Sequence, residues 1–191
     1  MNRERLINSF IEMIKIHSPS KNEAVFAEYM VNLLKNMGAE IYLDEGYKNY
    51  GGNAPVIFAK IKGNIKGEGI TLAAHMDVIE PNMNVNPVFE GDIIKTDGTT
   101  TLGGDDKGGI ASIIEVLRTL KETGASHEDI YIVLTPCEEA GLQGAKNVNW
   151  DLVPENIKPA KNMLVIDNAG RAGIIAHTAP SKYDFEITFT G

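Results

Sequence analysis

Ile70-Thr71-Leu72-Ala73-Ala74-His75-Met76-Asp77 is the stretch from which the rest of the chain is read. Its apolar run lacks a strict alternation with polar residues, so it predicts a strand over 70–75 buried on both faces. The run ends on a histidine, with an aspartate two residues further on. In an extended chain these two side chains lie on one side. His75 can offer a ring nitrogen to a metal, and Asp77 can accept the other ring N–H and fix the tautomer. Alone, the pair is a weak signal and reads better as a capped strand end with a satisfied histidine.

Toward the N-terminus, Leu6, Ile7, Phe10, Ile11 and Ile14 recur at helical spacing and predict a helix over 3–16. Ser18-Pro19-Ser20 stops it. Ser20 and Glu23 show the S-x-x-E pattern of a capping box, opening a second helix over 22–37 that Gly38 ends. Strands are expected at 40–43 and 56–61. Beyond the opening stretch come an irregular hairpin at 89–96, a helix at 107–121, a strand at 129–135 and a short helix at 141–148. A buried strand is expected at 163–166, and two further strands at 173–177 and 183–189. Strands alternating with helices give a layered α/β fold.

The 191 residues carry 18 Lys+Arg against 26 Asp+Glu, a net charge of −8. That balance argues against a dedicated nucleic-acid binder, which needs a basic face. With 43% hydrophobic and 23% charged residues, the chain falls in the globular range rather than the disordered one. The single cysteine, Cys137, forms no intrachain disulfide and suits a reducing compartment. No signal-peptide core and no membrane-length apolar run is present, so the expected location is cytoplasmic, with no membrane partner.

Three more acidic segments follow strands or open helices. Leu102-Gly103-Gly104-Asp105-Asp106-Lys107-Gly108-Gly109 sets two carboxylates among four glycines, where the backbone can approach something closely. The carboxylates could also simply cap the helix that follows. Thr135-Pro136-Cys137-Glu138-Glu139-Ala140-Gly141 puts two glutamates after a buried strand, where one can hold a metal while the other moves protons. Leu164-Val165-Ile166-Asp167 ends another apolar strand on a carboxylate. One histidine and several carboxylates at strand ends suit zinc or a related divalent ion. A carboxylate held between glycines could bridge two ions, a known hydrolytic arrangement.

Taken together these motifs resemble the zinc metallopeptidase family that includes peptidase T, glutamate carboxypeptidase and aminoacylase. The resemblance rests on Lys15 to Ser20, His75-Met76-Asp77, Gly98 to Ala111, Glu138 to Ala145, and Asp167, in that order. Its best match is to the peptidase-T-like proteins. It implies a mixed central sheet with helices on both faces, and a site of two Zn²⁺ ions, with Co²⁺ or Mn²⁺ as substitutes. His75, Asp105, Glu139 and Asp167 would be the metal ligands, Asp105 bridging. Glu138 would be the general base and Asp77 would orient His75. The implied substrate is a short peptide, cleaved as by a tripeptide aminopeptidase.

Family members are longer. The resemblance therefore implies that residues 1–180 are the N-terminal part of the catalytic domain and that 181–191 open a lid and dimerisation domain. The rest of that domain, and a final histidine ligand, would be absent from this sequence. His177 and Cys137 are the candidates for a stand-in ligand, although Cys137 reads more simply as a small buried thiol. Lys107 is expected to pair with a nearby carboxylate. Two other functions fit: an N-acyl amino acid deacylase of the same fold, and a non-catalytic metal-binding domain. A nucleotide-binding domain would rest on Gly103-Gly104 and Gly108-Gly109, which lack the required spacing.

Overall fold

The computed structural model of the chain describes residues 1–168, 170–171, 173–178 and 187–190. In chain order the elements are α1 (Arg3–Ile14), α2 (Ala24–Asn36), β1 (Glu40–Asp44), β2 (Val56–Ile61), β3 (Ile70–His75), β4 (Pro87–Glu90), β5 (Ile93–Thr96), α3 (Gly104–Thr123), β6 (Ile130–Thr135), α4 (Gln143–Lys146) and β7 (Met163–Val165). Strands β4 and β5 form a separate hairpin, and the other five make one sheet in the order β1-β2-β6-β3-β7.

The sheet is mixed. β1, β2 and β6 pair antiparallel, whereas β3 runs parallel to both β6 and β7. His75 lies opposite Thr135, and Ala73 opposite Val165. The carboxyl ends of three parallel strands are therefore aligned at one edge, which is where open α/β sheets place their ligands.

Alternate residues of the inner strands serve two apolar layers. Ile57, Ala59, Leu72, Ala74, Ile132 and Leu134 join the core formed with the three long helices, through Met13, Phe26, Met30, Ile110 and Ile114. Val56, Phe58, Ala73 and Val133 face the other way, against Val148, Val153 and Ile157 from the turns after α4. Ala73 and Ala74 are both buried, as the apolar run predicts.

Several expectations are corrected. The first residues of α2 do not form a capping box. The helix begins at Ala24, so Glu23 sits at its N-cap rather than inside the first turn, and makes no side-chain cap. Its carboxylate accepts the amides of Lys21 and Cys137 instead. β7 is not buried: Met163, Leu164 and Val165 are 44%, 46% and 62% exposed, because β7 is the edge strand of the sheet. Residues 173–178 form no strand. Of the strand expected at 183–189, residues 183–186 lie outside the described residues, and 187–189 are not in a strand.

Candidate metal centre

His75 ends β3 with its side chain only 2% exposed. Its Nδ1 lies 2.9 Å from the main-chain oxygen of Asp77 and 3.4 Å from Asp77 Oδ1. With both acceptors on one side, the neutral ring carries its proton on Nδ1, and Nε2 keeps a free lone pair. Nε2 faces Asp105 Oδ1 at 2.8 Å and Asp167 Oδ1 at 3.9 Å. Asp105 stands just inside the N-terminal end of α3, and Asp167 lies two residues beyond β7.

The candidate ligand atoms of His75, Asp105 and Asp167 lie within 4.8 Å of one another, and so do those of His75, Glu138 and Glu139. The five residues nominated as ligands or base, His75, Asp105, Glu138, Glu139 and Asp167, thus gather at one sheet edge, although they are spread over more than ninety positions. Asp77 is fully buried beneath them. Its Oδ1 accepts the Glu138 N–H at 2.8 Å, and its Oδ2 accepts the Glu139 N–H at 3.1 Å and the Ser20 hydroxyl at 2.6 Å. The main-chain oxygen of Asp77 is therefore the nearer anchor of His75, while its carboxylate mainly holds the turn that carries Glu138 and Glu139. Of the stand-in candidates, Cys137 is a buried thiol pushed up to about 11 by burial. His177 is exposed and belongs to neither group of ligand atoms.

The electrostatics are one-sided. Among the described residues no lysine or arginine pairs with Asp105, Glu138, Glu139 or Asp167; Asp105 and Asp167 face the His75 ring instead. Burial works to lower the His75 ring, but contacts with Asp77, Asp105 and Asp167 outweigh it and push the ring up to about 10. Burial raises Asp167 to about 6, helped by Asp105, and Glu139 also rises through burial and Asp105. Asp77 goes the other way. Burial opposes ionisation, but hydrogen bonds from His75, Ser20 and the Glu138 amide hold it below the usual carboxylate range. A cluster that binds a proton this tightly is short of a cation. One imidazole nitrogen and several carboxylate oxygens form a donor set suited to a divalent ion, which competes with that proton.

Sequence reasoning missed three supports of this centre. Asp106 is 4% exposed, accepts the His75 N–H at 3.3 Å, and is pushed up to about 8 by burial. Gly109 lets α3 press against it: a Cβ there would lie 2.2 Å from Asp106 Oδ1 and 2.3 Å from the Ile166 carbonyl oxygen. Glu23 is 0% exposed and pushed up to about 7, mainly by burial. A signal for it existed, since Glu23 falls in register with Phe26, Ala27 and Met30 on the apolar stripe of α2. Among the described residues Lys107 has no carboxylate partner. Its Nζ donates to the Ile16 carbonyl at 2.5 Å and sits 4.6 Å above the Phe26 ring, and burial pushes it down to about 7.

Known proteins share this fold. Residues 56–185 match the family model described as Peptidase family M28, and the chain belongs to that family. Over 94 residues, 48% of this chain and 23% of the relative, it is 38% identical to peptidase T of Escherichia fergusonii. A tripeptidase from Staphylococcus aureus superposes with a TM-score of 0.82 at 34% identity, covering 89% of this chain and 44% of that one. Aminopeptidase PepT from Bacillus cereus gives 0.83 at 32% identity, again covering 89% and 44%. The chain spans about half the length of the curated relative it matches almost end to end. Among the described residues, no helix is long and apolar enough to cross a membrane.

Proposed function

We propose that this chain carries the metal centre of a two-zinc peptidase of the peptidase T type, which removes the N-terminal residue from short peptides, tripeptides in particular. One observation carries the reading. The Nε2 atom of a buried, tautomer-fixed histidine faces carboxylates from two other elements, and among the described residues those carboxylates have no lysine or arginine partner. The similarity to a tripeptidase and to an aminopeptidase supports the substrate class. Residues 1–180 are assigned to the catalytic domain and 181–191 to the start of a lid. A reducing, cytoplasmic setting fits the single buried thiol.

In this reading His75, Asp105, Glu139 and Asp167 would hold the ions. Bound there, the metal supplies Lewis-acid activation of the peptide carbonyl and of water. Asp77 holds His75 through its main-chain oxygen and fixes the Glu138 amide through its carboxylate. Glu138, half-buried beside the centre, takes a proton from the water as its oxygen attacks the carbonyl carbon. The same carboxyl group returns that proton to the departing amine as the C–N bond breaks.

A zinc titration of the purified chain, with bound metal measured directly, tests the reading. Saturable zinc binding that His75→Ala abolishes supports it, and a parent chain that binds no zinc overturns it. Glu138→Gln is expected to keep zinc affinity within about threefold while tripeptide hydrolysis falls by about a thousandfold, the scale of a lost general base.

A further inference from the structure

Three consecutive amides, those of Cys137, Glu138 and Glu139, point at buried carboxylates. The last two donate to Asp77, and the first donates to Glu23 Oε1 at 2.9 Å, across 114 positions of sequence. The same Glu23 oxygen accepts the Lys21 N–H at 3.0 Å. Lys21 and Cys137 are two of only four non-glycine residues with positive φ among the described residues, at 72° and 55°. That left-handed conformation is costly for a side chain with a Cβ and persists only where its surroundings hold it. One carboxylate oxygen thus fastens both.

The two turns it fastens meet at the same place. Ser20, next to Lys21, donates its hydroxyl to Asp77. Cys137 leads directly into the Glu138–Glu139 pair. Glu23 itself is fully buried, and its other oxygen, Oε2, has no partner among the described residues. A buried carboxylate with a free oxygen costs stability and would be replaced by an apolar residue if α2 only needed filling there.

We propose that Glu23 is a positioning residue of the centre: by accepting the Cys137 and Lys21 amides on one oxygen, it fixes the left-handed turn that aims Glu138 and Glu139. This rests on the reading of Glu138 and Glu139 as site residues. What matters in it is the reach of an acceptor oxygen, not its charge. Gln keeps that reach without the charge, and can place its amide group where Oε2 stands. Asp keeps the charge but is one methylene too short to serve both amides.

Glu23→Gln and Glu23→Asp separate the possibilities. Hydrogen exchange is read at the Cys137 and Lys21 amides of the metal-free chain, with Ile132 in β6 as the reference for global opening. In Glu23→Gln, protection at both amides is expected within about threefold of the parent. In Glu23→Asp, both are expected to exchange about tenfold faster or more, with Ile132 unchanged. Zinc affinity should follow the same order, Gln like the parent and Asp weaker. Glu23→Asp matching the parent, or Glu23→Gln losing as much as Glu23→Asp, overturns the proposal, as does loss at Cys137 only in step with Ile132. The exchange readout needs no metal, so a chain that binds no zinc defeats the metal-centre reading and still leaves Glu23 tested.

Discussion

Glu115 and Asp106 are buried carboxylates on the same helix, yet their surroundings are opposite. Glu115 is gripped by Arg5, whose Nε donates to Oε2 at 2.8 Å and whose Nη2 donates to Oε1 at 3.0 Å. The Asn2 N–H adds a bond of 2.6 Å, and Arg5 also pairs with Glu122. Those bonds, the Arg5 ones first, hold Glu115 down at about 2. Among the described residues Asp106 pairs with no lysine or arginine. Burial raises it to about 8, the His75 charge works against that, and Asp167 and Asp105 add to it. At the α1–α3 contact the chain supplies the cation its carboxylate needs. At the sheet edge it gathers carboxylates around one histidine, and among the described residues no lysine or arginine pairs with Asp105, Glu138, Glu139 or Asp167, the imbalance that the proposed metal would complete.

Exchanging the two kinds of support should give crossed effects. Asp105→Asn removes an exposed carboxylate oxygen from the centre, and zinc affinity should drop by about a hundredfold. The zinc-free melting temperature should then stay within about 2 °C, since Asp105 is 69% exposed and, among the described residues, no lysine or arginine pairs with it. Arg5→Ala strands Glu115 in the α1–α3 contact and should lower the melting temperature by about 5 °C or more, with zinc affinity within about threefold. Calorimetric zinc isotherms and thermal melts of both variants are the measurement. If the two variants melt alike, the contrast between the regions is broken.

The pH dependence sharpens the same contrast. Asp106, Glu23 and His75 stand at about 8, 7 and 10 in the folded chain, against ordinary values of 3.8, 4.5 and 6.5. Each binds its proton more tightly when folded. Its contribution is therefore complete below the ordinary value and is lost as pH rises through the folded one. Glu115, at about 2 against 4.5, behaves oppositely: its contribution is complete above 4.5 and lost as pH falls toward 2. Zinc-free, the chain should be most stable near about pH 5 and weaken toward about pH 8, and saturating zinc should flatten that decline. Urea midpoints across this range would contradict the account by rising from pH 5 to pH 8 without zinc.

The smallest effect belongs to a pair that satisfies geometry alone. Arg3 Nη2 lies 2.6 Å from Asp92 Oδ1, but the two side chains are 72% and 93% exposed. Water serves both ions as well as they serve each other, so Arg3→Ala should move the melting temperature by less than about 1 °C. A larger drop would mean that exposed pairs on this surface carry weight, and the contrast between Arg5 and the centre would lose its meaning.

Periodicity was a sufficient guide where one element's own pattern decides the outcome. The helical stripe of Phe26, Met30 and Leu34 and the apolar run at Ile70 to Ala74 lie where the sequence predicts a helix and a two-sided strand. It misled where a neighbour decides. Ser20 and Glu23 have the spacing of a cap, but the amides of Cys137 and Lys21 and an acceptor on Asp77 bind them instead. Met163, Leu164 and Val165 have the composition of an inner strand, yet strand order puts them at the edge. Lys107 stands beside two aspartates in sequence and meets a carbonyl and an aromatic ring in space.

By itself, then, the sequence determined the elements and the nominees: a histidine and carboxylates placed just after apolar runs or at a helix start, where side-chain type and spacing are enough. Which groups share a proton, which amide each carboxylate accepts, and which charges are balanced were decided only by tertiary structure. Those depend on distances of about 3 Å and on desolvation. Such distances join Ser20, Glu23, His75, Asp105 and Cys137 only after three parallel strands bring their carboxyl ends to one edge.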